Sequence, residues 1–222
     1  MTAKGFGKRL ASLLFGLALY ALGAVFTMRA GWGFAPWEVF HSGVGSQLGI
    51  ALGTASIVMG LLIVLVDHFC GEALGLGTWL NMLLIGSFIN LFTWLDFIPA
   101  AQGLLWQASW LALGLLIIAF ATYFYISAGM GTGPRDCLMV ILSRRTGISP
   151  GKCKMFVEWT AVLIGWLLGG PVGVGTIAAA FGGGVFTDLV FRLFRFDPKA
   201  IQHQRLGETL RMLTARKEKE PV

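Results

Sequence analysis

Shifted by 98 residues, this chain aligns with itself without a gap, so that Ala30-Gly31-Trp32-Gly33-Phe34-Ala35-Pro36-Trp37-Glu38 lies over Ala128-Gly129-Met130-Gly131-Thr132-Gly133-Pro134-Arg135-Asp136. The same offset places Gly75-Leu76-Gly77-Thr78 on Gly173-Val174-Gly175-Thr176, and Gly49-Ile50 on Gly147-Ile148. Apolar residues agree by chance in any hydrophobic chain, but an AGxGxxP motif and a GxGT motif sharing one register do not. The pattern reads as a tandem duplication. In a membrane protein, such duplication predicts a pseudo-symmetric fold with a site between the halves.

The membrane setting follows from composition. The 222 residues are 56% hydrophobic and 13% charged, with a mean hydropathy of +0.75, too apolar for a soluble domain to cover its surface. Apolar runs near Leu10–Met28, Leu52–Phe69, Thr78–Leu95, Leu104–Ile126, Cys153–Leu168 and Gly175–Phe194 are long enough to cross about 30 Å of hydrocarbon. The fold class expected is therefore all-α: about six transmembrane helices plus two short re-entrant or interfacial helices, in two tandem, inverted repeats. The first run is read as a retained helix and not a signal peptide, because its repeat partner is internal. The net charge of +6 belongs to residues flanking membrane segments and is no nucleic-acid signal. Cys70, Cys137 and Cys153 show neither CxxC nor His/Cys spacing, so neither a disulfide framework nor a metal site is expected.

Basic residues set the expected orientation. Lys4, Lys8 and Arg9 precede the first run, Arg144, Arg145, Lys152 and Lys154 precede the fifth, and the segment after the last run is rich in Arg and Lys. The positive-inside rule puts all three on the cytoplasmic side of a bacterial inner membrane, with both termini inside. The division expected is residues 1–10 as cytoplasmic N-terminus, 11–97 as the first membrane repeat, 98–103 as extracytoplasmic linker, 104–194 as the second repeat and 195–222 as a basic amphipathic tail. Pro36–Gln47 is twelve residues, about 18 Å as a helix, which is short of the bilayer core. The competing arrangement sends all eight helices across as two parallel four-helix repeats. In the tail, Ile201, Leu206, Leu210 and Leu213 fall near one side of a basic helix suited to anionic lipid.

The candidate solute or ion path is Gly31, Gly33, Pro36, Glu38, Gly129, Gly131, Pro134, Arg135 and Asp136, with Asn81, Asn90 and Asp188 from the longer spans. Glycines allow backbone breaks, and proline suits the first helical turn. A purely structural account also exists, since Glu38 and Asp136 fall where a carboxylate complements a helix dipole. The functional account is that intramembrane carboxylates are expensive and line solute or ion paths. Arg135 can pair with Asp136 or with an anionic solute, and His41 reads as a structural polar residue. Thr78 and Thr176 read as helix caps. The small-residue run Ala178–Gly184, with Gly86 as the repeat mate of Gly184, predicts that the third and sixth spans pack together. Glu158 with Lys154, and Asp188 with Arg192, read as helix-surface ion pairs.

The stretch AGWGFAPWEVFHSGVG, followed by LGTASIVMGLLIVL and LGLGTWLNMLLIG, resembles the bacterial YczE/YyaS/YitT-like family of integral membrane proteins. That resemblance implies a multi-spanning protein of the bacterial cytoplasmic membrane and supplies no catalytic or ligand residues. No HExxH or Walker A motif occurs, so an enzyme is not expected, and neither is a cofactor. The reading is a secondary transporter or permease for an unknown small solute. Its alternative is a non-transporting partner or regulator of another membrane complex. The lipid bilayer is the expected partner, with anionic lipid at the tail, and self-association is compatible with either role.

Overall fold

The structure is a computed structural model and describes residues 3–69, 74–131, 133–148, 150–196, 201, 204, 206 and 207. Eight helices follow one another among the described residues: α1 (Ala3–Arg29), α2 (Pro36–Leu48), α3 (Leu52–Phe69), α4 (Leu76–Leu95), α5 (Leu104–Ser127), α6 (Pro134–Thr146), α7 (Pro150–Leu167) and α8 (Val174–Leu193). Among the described residues, five segments are long and apolar enough to cross a membrane: Gly5–Arg29, Leu52–Phe69, Leu76–Leu95, Leu104–Ser127 and Val174–Leu193. The run expected from Cys153 is carried by α7, whose apolar part is the shorter Met155–Leu167. Lys152 and Lys154 precede that part in the chain. The outward-facing surface is hydrocarbon-like, with Phe69 and Trp94 85% and 79% exposed, as bilayer contact requires.

Every helix boundary from the end of α1 to the end of α4 returns 98 residues later, for example 36 to 134, 48 to 146, 76 to 174 and 95 to 193. The backbone breaks return as well. Gly33 and Gly131 have φ of +101° and +124°, a region costly for a residue with a Cβ. A third correspondence links the halves directly. The Gly77 N–H donates to Met130 O at 2.6 Å, and the Gly175 N–H donates to Trp32 O at 2.7 Å, the same bond with the halves exchanged. Each AGxG break is thus received by the GxGT turn of the other half. The threonines act differently from the expected caps. Gly75 and Gly173 are the N-caps, and each donates its N–H back to Thr78 or Thr176 Oγ1 at 3.3 and 3.1 Å.

At the centre, α1 packs antiparallel on α5. Arg9 meets Ala128, Ser12 bonds Phe124 O, and Phe26 meets Trp110 edge to face, so one helix ascends as the other descends. Glycines bring the backbones together: a Cβ on Gly16 would lie 2.8 Å from the Tyr125 nitrogen, and one on Gly23 2.8 Å from Gly114 O. α4 flanks α1 and α8 flanks α5, while α2 lies on α7 and α3 on α6. The expected packing of α4 on α8 is not what forms. Gly86 instead abuts Gly53 of α3, and Gly183 and Gly184 have no neighbour within 4 Å of a Cβ position. Asn90 secures that α3–α4 contact, accepting from the Gly53 N–H at 3.0 Å and donating to Thr54 Oγ1 at 3.1 Å.

The short helices do not run the length of the bundle. α2 is 13 residues, about 20 Å. Its first turn lies among Tyr20, Ile85, Leu115 and Thr122, near the middles of α1, α4 and α5. Its last turn leads into α3, whose start is bonded to Asn90 near the end of α4, where Arg29 of α1 pairs with Asp96. The chain therefore leaves α1 at one end, dips to the middle and returns to that end. α2 is re-entrant in form. α6 is also 13 residues, and its first turn, with Arg135 and Asp136, lies on the same interior.

Of the tail, Ile201 and Leu206 are half-buried against the protein. The Gln204 N–H donates to Gly129 O and the Leu206 N–H to Leu74 O, at 3.1 and 3.0 Å. These residues dock on the bundle end that also receives Arg9, in place of the expected free face toward lipid. Leu210 and Leu213 lie outside the described residues.

Candidate functional site

The first turns of α2 and α6 meet in the interior because each AGxGxxP segment breaks the chain before the helix starts. A cavity of about 100 Å³ lies at this meeting, bordered by α1, α4, α5, α7 and α8. Its polar wall comprises Tyr20, Glu38, Asn81, Tyr125, Arg135, Asp136 and Glu158. That volume holds several water molecules or a small solute.

Arg135 is the hub. Its Nη1 is 3.5 Å from Tyr20 Oη and 3.8 Å from Glu38 Oε1. Its Nη2 donates to Ser56 Oγ at 3.2 Å and faces His41 Nδ1 at 3.5 Å. The guanidinium carbon lies 4.9 Å from the centre of the Trp37 ring, a cation–π geometry. Glu38 and His41 are 2% and 1% exposed, so this charge system sits out of bulk solvent. Asp136 is held separately, accepting the Tyr125 hydroxyl at 2.7 Å. The alternative pairing of Arg135 with Asp136 is not the one formed; Glu38 of the opposite half is the carboxylate that faces Arg135.

The sequence candidates divide into groups. Glu38, Arg135, Asp136, Pro36 and Asn81 line the cavity. Pro134 is buried beside it, next to Gly133. Gly31, Gly33, Gly129 and Gly131 form the breaks and do not line the cavity. Gly33 and Gly131 touch the opposite GxGT turn, where a Cβ on Gly131 would meet Thr78 Oγ1 at 2.8 Å, while a Cβ on Gly31 would face Gln107 and one on Gly129 would meet Arg9. Asn90 serves the α3–α4 contact described above. The side chain of Asp188 lies outside the described residues.

Glu158, expected as a surface partner of Lys154, borders the cavity; the side chain of Lys154 lies outside the described residues. Tyr20, Ser56 and Tyr125 were not singled out by sequence reasoning. They are lone hydroxyls on apolar helices, and no local pattern distinguishes them from ordinary helix residues. Trp37 had one available signal, its equivalence to Arg135 in the repeat. Among the described residues no group of three or more His, Cys, Asp or Glu is placed to hold a metal ion.

Helix boundaries, lipid-like surface and interior polar cavity together define a multi-pass α-helical membrane protein. Residues 7–192 match a protein family described as a family of unknown function, DUF6198. The chain is 34% identical over 189 residues to the uncharacterized membrane protein YczE of Bacillus subtilis (strain 168), covering 84% of each chain. It is also 33% identical over 173 residues to an uncharacterized protein of Haemophilus influenzae, covering 78% of each. No solved structure matches. The chain belongs to the DUF6198 family and is YczE-like.

Proposed function

We propose that this protein is a secondary transporter or permease for a small solute in the bacterial cytoplasmic membrane, with its site between two inverted repeats. The observation that carries the reading is the convergence of two re-entrant helix starts, from opposite halves, on one interior cavity lined by Arg135, Glu38 and Asp136. Inversion is supported by the antiparallel α1–α5 pair and by the exchanged Gly77–Met130 and Gly175–Trp32 bonds. Helices broken at mid-membrane, with their starts turned to a polar site, are the means by which inverted-repeat transporters hold charged solutes. A partner or regulator has no need of a polar cavity at its centre, where buried charge is costly. Both termini are then cytoplasmic, as the flanking basic residues require. The test is uptake into proteoliposomes of the purified protein, screening small metabolites and ions first by thermal stabilisation. No flux of any stabilising compound above empty liposomes would reject transport.

A further inference from the structure

The cavity holds two groups that are each short of a partner. Glu38 is buried and its Oε1 has no hydrogen-bond partner. Arg135 stands 3.8 Å from that oxygen, beyond ordinary N–H···O range. Its recorded bonds, at 3.2–3.5 Å, go to Tyr20, Ser56 and His41, all neutral or weakly basic groups. A guanidinium offers five N–H donors in one plane and takes a carboxylate through two parallel bonds. Glu38 does not form that fork with it. An acceptor lacking a proton and a fork lacking a carboxylate, on one small cavity, together complement a weak acid.

We propose, resting on the transport reading above, that the solute is a small monocarboxylate, bound as the anion on Arg135 while its companion proton resides on Glu38. In the empty site, Glu38 and Arg135 balance each other. An anion arriving at Arg135 takes that balance away and leaves a buried carboxylate uncompensated, which is strongly unfavourable. Protonation of Glu38 removes the penalty. The loaded site then carries the same net charge as the empty one, so one proton accompanies one anion.

The groups facing Glu38 assign it this part. Arg135 and Asp136 come from α6, Tyr20 from α1, Tyr125 from α5, Glu158 from α7 and His41 from its own helix. From α3, α4 and α8 the described side chains at the site are Ser56, Asn81 and Thr187, which do not titrate. Asp136 already accepts the Tyr125 hydroxyl, so Glu38 is the carboxylate whose charge answers to Arg135. A cationic solute would meet Arg135 already covering the Trp37 face. The cavity volume selects a short-chain acid over a sugar or nucleotide.

The experiment uses the full chain in nanodiscs, with acetate, propionate and lactate as probes and ethylammonium and alanine as controls. Each carboxylate is expected to raise the melting temperature, with apparent affinity falling about tenfold per pH unit between mildly acidic and neutral conditions, the slope of one linked proton. Glu38→Gln, a fixed mimic of the protonated acid, should bind carboxylates with no pH dependence. The Glu38→Gln/Arg135→Gln double variant, which buries no unpaired charge, should fold and lose binding. Stabilisation by ethylammonium or alanine alone, by none of the probes, or by carboxylates equally in the double variant, would overturn the proposal. Carboxylate binding without proteoliposome flux would sink transport and leave the anion site standing. Flux of the amine alone would do the reverse.

Discussion

The guanidinium of Arg135 lies over the ring of Trp37, 4.9 Å from its centre, and the two residues hold equivalent places in the first turns of α6 and α2. Two positions 98 residues apart therefore meet at the middle of the molecule. One carries a cation and the other an aromatic ring, which attract each other, whereas two arginines would repel. Their acidic neighbours are placed differently, Glu38 facing Arg135 and Asp136 bonding to Tyr125.

Removing one member of the buried pair is expected to cost more than removing both. Arg135→Gln strands Glu38 and should destabilise by about 3–5 kcal/mol at neutral pH, whereas Glu38→Gln/Arg135→Gln should recover most of that loss. A double-mutant cycle of denaturation in detergent measures the coupling. Additive losses would show that the two groups do not compensate each other.

The breaks are expected to tolerate a methyl group very unequally. At Gly33 a Cβ would stand 2.6 Å from Thr176 Oγ1 with φ at +101°, so Gly33→Ala should abolish folded yield. Gly49 also has positive φ, +66°, but a Cβ there meets nothing within 4 Å. Gly49→Ala should therefore cost only the left-handed strain, about 1–2 kcal/mol. Size-exclusion profiles and melting temperatures of the two variants separate the cases.

Arg9 ties the first helix to the second break, donating from Nη2 to Gly129 O at 2.9 Å and from Nε to Ala128 O. Arg9→Ala should lower stability by about 1.5–3 kcal/mol, the range for hydrogen bonds to charged groups. Arg9→Lys should restore little of it, because an ammonium lacks the planar fork that reaches both carbonyls. Equal stability of Arg9→Lys and the parent in a thermal melt would contradict this geometry.

Topology has its own test. With Cys70, Cys137 and Cys153 replaced, Gln102→Cys should react with an impermeant thiol reagent from outside intact cells, and Arg145→Cys only after the membrane is opened. Protection of Gln102→Cys in intact cells would favour eight crossings.

Much of this fold was legible in the chain. The 98-residue register marked the two AGxGxxP breaks and the starts of α2 and α6, because glycine and proline impose backbone conformations that owe little to distant contacts. The membrane runs were legible because hydrocarbon thickness fixes a length and an apolar composition. α7 is the exception, its apolar part Met155–Leu167 being shorter than the run expected from Cys153.

Side-chain partnerships were decided only by tertiary packing. Local spacing offered Asp136 as a neighbour of Arg135, yet Arg135 faces Glu38 from the other half. Gly86 pointed to α8 by repeat equivalence and packs on Gly53 of α3. Each outcome turns on which helix faces come together. Periodicity reports how apolar a face is, but lipid and protein interior are almost equally apolar, so it does not distinguish a face that meets the bilayer from one that meets another helix. The sequence by itself determined where the chain breaks and which segments suit a membrane. The antiparallel contact of α1 with α5 decided that the two breaks meet, and with them Trp37, Glu38 and Arg135.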